Sequence, residues 1–117
     1  MKEVCEKYCK MLVDNRDRIK DVFPWESGLI CLASAGIYTM RDKLADEQIL
    51  RESKELMKQK VSIFSNFRGT VRVPAVAMLA VSGHPSDTLD KGLAIYKRLK
   101  KDFWSSPYLP LAAMMIA

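Results

Sequence analysis

Residues 65–72 read SNFRGTVR and carry the side chains best suited to holding an anion. Arg68 and Arg72 bracket Gly69, just ahead of a helix start at Pro74. Free backbone N–H groups and the positive end of a helix dipole attract negative charge at such a place. Arginine's planar fork adds two-point recognition of a carboxylate or phosphate. Asn66 and Phe67 share the loop and complete the candidate binding set on this segment. The competing structural reading is an ion pair of Arg68 with Glu26 or another neighbour at the same corner.

Other chemistry is thinner. Cys5 and Cys9 stand four apart on one helix, as two metal ligands could, yet a structural zinc site takes four ligands and only Cys31 and His84 remain. No metal is expected. His84, in SGHPSD, has no serine or cysteine nucleophile beside it and reads as a turn residue. No catalytic residue emerges: Ser-His-Asp spacing, a glycine-rich phosphate loop and an HExxH segment are all lacking. The basic segments RDRIK, KQK and KRLKK fall at helix ends, where cations complement the dipole without any nucleic acid. Nucleic-acid binding is not expected from them.

These residues need elements to position them. Val4, Tyr8, Met11, Leu12, Ile19 and Val22 recur at helical spacing over 2–23, and Pro24 ends that run. ESGLICLASAGIYTM is apolar nearly all round and predicts a buried inner helix. Asp46 caps a third helix through Phe64, with Ile49, Leu50, Leu56, Met57 and Phe64 in one stripe. Pro74 opens a short apolar helix that Gly83 closes. Residues 86–104 form a fifth, with Leu89, Leu93, Tyr96, Leu99 and Phe103 on one side, and a sixth runs from near Pro107 to Ala117. Asn15, Ser53 and Lys60 interrupt apolar stripes, so each needs a polar partner between helices or, for the lysine, a path to solvent.

The expected fold is therefore all-α, with about six helices in stacked antiparallel hairpins, either a HEAT-like α-solenoid or an irregular helical array. Long charged helices alternate with short apolar ones, and the long ones end at Phe23, Phe64 and Phe103, about forty residues apart. Each Phe precedes a loop with a further aromatic: Trp25, Phe67, then Trp104 and Tyr108. If the repeat is real, loops 24–27, 65–70 and 104–107 share one edge, and that edge is the expected binding surface.

Composition narrows the class. The 117 residues, 49% hydrophobic and 28% charged with net charge +5, suit one globular domain over 1–117. The start MKEVCEKYCK lacks the apolar core of a secretion signal, no apolar run reaches membrane-spanning length, and the three cysteines are odd in number. A reduced, cytoplasmic protein outside the membrane is expected. The apolar end YLPLAAMMIA predicts either self-association through 108–117 or fraying there.

FSNFRGTVR, followed by LAIYKRLKKDFWSSPYLPLAAMMIA, resembles the bacterial domain-of-unknown-function family 4003. The order Phe-Arg-Gly, Tyr-x-x-Leu-Lys, Ser-x-Tyr-Leu-x-x-Ala-Ala carries the likeness. The resemblance implies a bacterial, all-helical protein, of which this chain is the N-terminal part, and it supplies no activity or cofactor. The expected function is a binding or scaffold module for a protein or acidic ligand. The alternatives are an enzyme completed by residues beyond 117 and a nucleic-acid-associated protein.

Overall fold

The computed structural model describes residues 1–61, 71–103 and 108–117. Among these, six helices form and no strand: α1 (Lys2–Val22), α2 (Gly28–Thr39), α3 (Glu47–Lys60), α4 (Arg72–Val81), α5 (Pro85–Asp102) and α6 (Leu109–Ile116). The all-α expectation holds.

Local chemistry sets most of the boundaries. The Ser27 hydroxyl accepts from the Leu29 N–H, and the Asp46 carboxylate accepts from Gln48 and Ile49, so each helix start has one or two of its free donors satisfied by a cap. Pro85 sits in the first turn of α5, where its missing N–H costs nothing. Gly83 takes φ +84° just past α4, a conformation that ends a helix cheaply only with glycine. The third helix stops at Lys60, short of the expected Phe64, because Val61 turns to extended backbone with φ −111° and ψ 128°. Residues 62–64 lie outside the described set.

Packing joins α1 to α2, α3 to α4 and α5 to α6 as consecutive pairs. Across the pairs, α1 meets α3 and α3 meets α5, while α2 meets α4 and α4 meets α6. Helix α4 is the centre of this arrangement. Val73, Ala75, Val76, Ala77, Leu79, Ala80 and Val81 are all buried, which is why that stretch has apolar residues on every side. Small residues let α4 approach α2, whose Cys31, Ser34 and Ala35 are buried too.

The stripe expected along the whole of α1 is only half used. Val4 and Tyr8 are exposed, whereas Ile19 and Val22 are in the core. The reason is length: α1 has 21 residues and α2 has 12, so at about 1.5 Å per residue α1 outruns its principal partner. Phe103 is exposed as well, since it follows the last turn of α5 in extended backbone.

Of the polar interruptions, Asn15 finds its partners between helices. It is fully buried, donates to Thr39 Oγ1 at 3.1 Å and to the Lys43 carbonyl at 3.0 Å, and accepts from the Ala45 N–H at 2.7 Å. Ser53 does not: its Oγ is buried with no hydrogen-bond partner among the described residues. A buried hydroxyl without a partner costs about 1–3 kcal/mol relative to a satisfied one. Ser53→Ala should therefore raise stability by about 1 kcal/mol, seen as a higher urea midpoint at unchanged slope. A lower midpoint would show that the hydroxyl is bonded after all.

Burial also holds the Tyr38 phenol well above its ordinary value, with the Asp46 charge adding to the effect. In the unfolded chain that phenol ionises near pH 10. Above pH 10 the folded form therefore keeps a proton that the unfolded form has lost, and stability falls as pH climbs further. Denaturant midpoints at pH 9 and pH 11 should fall less steeply for Tyr38→Phe than for the wild type.

Candidate anion-binding site

Four cations converge on one cavity of about 430 Å³, lined by Arg51, Lys54, Glu55, Met57, Lys58 and Arg72. Three of them come from a single face of α3. Arg51, Lys54 and Lys58, with Glu55, stand at the spacings i, i+3, i+4 and i+7 that line up along one side of a helix. Arg72 arrives from the first residue of α4, which packs against α3. Buried Met57 contributes an apolar part of the wall.

Phe23 organises the inner edge. It caps α1 at 1% exposure, and both the Lys54 ammonium and the Arg72 guanidinium lie over its ring, 4.7 Å and 5.2 Å from the centroid. Cations held over an aromatic face are attracted by its electron-rich surface. Lys54 Nζ also donates to the Val22 carbonyl at 2.9 Å, satisfying an acceptor that the end of α1 leaves open.

Among the described residues, Arg51 and Arg72 each have an acidic neighbour. Arg72 is paired with Glu26 at 3.1 Å, and Arg51 stands 3.7 Å from Glu47, one turn away on α3. Glu26 is itself placed by the corner after α1: its N–H donates to the Phe23 carbonyl, and its carbonyl accepts from Lys20. Lys54 feels mostly like charge. Burial first, then Arg72 and Arg51, push its ammonium below the ordinary lysine value, against a smaller opposing pull from Glu26. A half-buried ammonium among guanidinium groups is a place where an anion would be stabilised.

The structure treats the sequence-based candidates unevenly. Arg72 is at the cavity and pairs with Glu26, the carboxylate expected to pair with Arg68 instead. Trp25 is 96% exposed at the turn beside Glu26, and Tyr108 is exposed ahead of α6. Arg68, Asn66, Phe67 and Trp104 lie outside the described residues, so the shared edge of loops 24–27, 65–70 and 104–107 lies outside them as well. Sequence reasoning passed over Arg51, Lys54 and Lys58. Their signal was present in RESKELMK as a basic i, i+3, i+7 face, and it was passed over because charged helix faces usually meet only water.

Elsewhere Lys60 finds the inter-helix partners expected of a lysine on an apolar stripe. Lys60 reaches both Ser86 Oγ and Asp90 Oδ1 at 2.9 Å, tying α3 to α5. His84 precedes α5 with Nδ1 2.9 Å from Thr88 Oγ1, and Thr88 in turn donates to Ser82 Oγ. Cys5 and Cys9 are exposed and Cys31 is buried, and among the described residues no three His, Cys, Asp or Glu side chains gather to hold a metal ion. A second, more apolar concavity of about 690 Å³ lies at the other end of α4, where Met40, Met78, Met114 and Met115 meet Arg41 and His84.

Fold and site together define an all-α protein with a basic cavity between its third and fourth helices. Residues 15–117 match the family described as "Protein of unknown function (DUF4003)", and the chain belongs to that family. No curated protein and no solved structure matches it. Among the described residues, no helix is long and apolar enough to cross a membrane.

Proposed function

We propose that the chain is a cytoplasmic binding module whose α3–α4 cavity takes an anionic ligand. The observation that carries this is the convergence of Arg51, Lys54, Lys58 and Arg72 on one concave surface, where Glu55 is the one acidic lining residue among those described. An arrangement serving stability alone would pair the half-buried Lys54 with a carboxylate, because partly desolvated like charges repel. Lys54 instead has cations as its strongest charged neighbours. The consecutive helix pairs, with α1, α3 and α5 succeeding one another on one side and α2, α4 and α6 on the other, support a short stack of hairpins as the scaffold.

The test is anion-dependent stabilisation at constant ionic strength. Replacing chloride by phosphate should raise the melting temperature of the wild type, and Arg72→Ala should abolish the increment. An increment equal in both proteins would place the anion elsewhere and sink the reading. A 20-base-pair DNA duplex added in the same buffer serves as the polyanion control. Salt-sensitive binding to it that survives Arg72→Ala would favour a nucleic-acid role instead.

A separate observation supports self-association. In α6, Met115 and Ile116 are exposed, as are Tyr108 before it and Met40 across the apolar concavity. A contiguous exposed apolar surface of this kind suits a protein partner. Light scattering across a hundredfold concentration range, with Met115→Lys as the disrupting variant, decides whether that partner is a second copy.

A further inference from the structure

The Arg72 fork is not vacant in the free protein, and what fills it says which anion can enter. Glu26 Oε1 lies 3.1 Å from the Arg72 guanidinium, on a corner held to α1 through its backbone N–H and carbonyl. A carboxylate tethered this way competes at an effective concentration in the millimolar range or above. An external monocarboxylate must displace that contact to reach Arg72, so its net gain there is only the difference between its own contact and the one Glu26 gives up.

A phosphoryl group differs on two counts. It carries close to two negative charges near neutral pH and presents three acceptor oxygens. Those oxygens can be shared among Arg72, Lys54 and a further cation of the α3 face, whereas a planar carboxylate is used up by one fork. The extra charge also meets the ammonium that Arg72 and Arg51 crowd. We propose that the ligand of the α3–α4 cavity is a small phosphomonoester in its dianionic form, and that it binds by displacing Glu26 from Arg72. At about 430 Å³ the cavity has the size of an ordinary small-molecule site. This inference rests on the anion-binding reading above and adds to it the ligand class and the role of Glu26 as an internal competitor.

Phenyl phosphate and benzoate are the probes, titrated calorimetrically at fixed ionic strength into the 117-residue chain. A Trp104→Phe background lets the fluorescence of Trp25, the neighbour of Glu26, report the corner's movement. At pH 7.5 phenyl phosphate should bind at least about tenfold more tightly than benzoate, the worth of one additional charge-assisted hydrogen bond. Glu26→Gln should strengthen benzoate by roughly the same factor and so narrow the gap. Glu3→Gln, which removes one negative charge from the exposed start of α1, should change neither. At pH 5, below the second phosphoryl ionisation near 6, phenyl phosphate should weaken toward benzoate. Equal wild-type affinity for the two probes overturns the phosphomonoester assignment and leaves an unselective anion site. Unchanged benzoate affinity in Glu26→Gln overturns the competitor role. Binding of neither probe removes the anion reading itself.

Discussion

Phe23→Ala is expected to cost about 3–5 kcal/mol of folding stability, the range for removing a buried aromatic ring. Phe23 is 1% exposed in the core cluster with Ile19 and Val22, and two cations rest on its ring. Truncation leaves a void and also strands Lys54 and Arg72 over that void with each other as neighbours. For a domain whose whole stability is about 5–15 kcal/mol, this is a large fraction. Urea unfolding followed by circular dichroism measures the loss. Phe23→Leu separates packing from the ring's electrostatics. It should recover most of the stability while still weakening anion binding, because the leucine offers the cations no electron-rich face. A Leu variant with full anion affinity would reduce Phe23 to a packing residue.

Asn15→Ala should cost roughly 3 kcal/mol, through three broken hydrogen bonds whose other partners stay where they are. Asn15 works on the turn between α2 and α3. Its amide holds Thr39 and Lys43, and its carbonyl oxygen holds the N–H of Ala45, which is itself fully buried. Arg18, one turn further along α1, takes the Ala45 carbonyl at 2.9 Å, so both backbone groups of Ala45 are held by α1 side chains. The turn includes Asp42 at φ 56°, a left-handed conformation that Asp adopts more readily than most non-glycine residues. Without Asn15 the buried Ala45 N–H has no partner and the turn loses its anchor. Hydrogen exchange at Ala45 should accelerate by at least about a hundredfold, as expected for losing roughly 3 kcal/mol of local protection. Asn15→Asp tests the same clamp differently, since it keeps the acceptor for Ala45 but opposes the Lys43 carbonyl with negative charge. Unaltered exchange at Ala45 in both variants would mean that the turn is held by other contacts.

Much of the architecture was legible in the order of residues because it depends on neighbours in the chain. The Asp46 cap, Pro85 in a first turn, Gly83 at positive φ and the all-round apolar character of α4 all act within a few residues. Such local signals settle helix number and identity with little help from the rest of the molecule. The need of Asn15 for a partner was legible for the same reason: a polar residue on an apolar stripe must be satisfied somewhere. Which partner it finds was not. Thr39, Lys43 and Ala45 lie at least 24 residues away, and only the fold of α1 against α2 brings them within reach. The cavity belongs to the same category. Arg72 could be singled out beside its helix start, but Glu26 is 46 residues from it in sequence, and Arg51, Lys54 and Lys58 have the appearance of one more solvated helix face. Charge acquires meaning when desolvation and like neighbours act on it together, and those are properties of packing. Residue order was enough for the six helices and for most of their buried faces, with Val4, Tyr8 and Phe103 as exceptions that only packing exposed. Packing of separate helices is what gathers four of the described basic residues in one hollow, with Phe23 beneath two of them and Glu26 as the counter-ion of Arg72, because desolvation and neighbouring charge exist only once the helices meet.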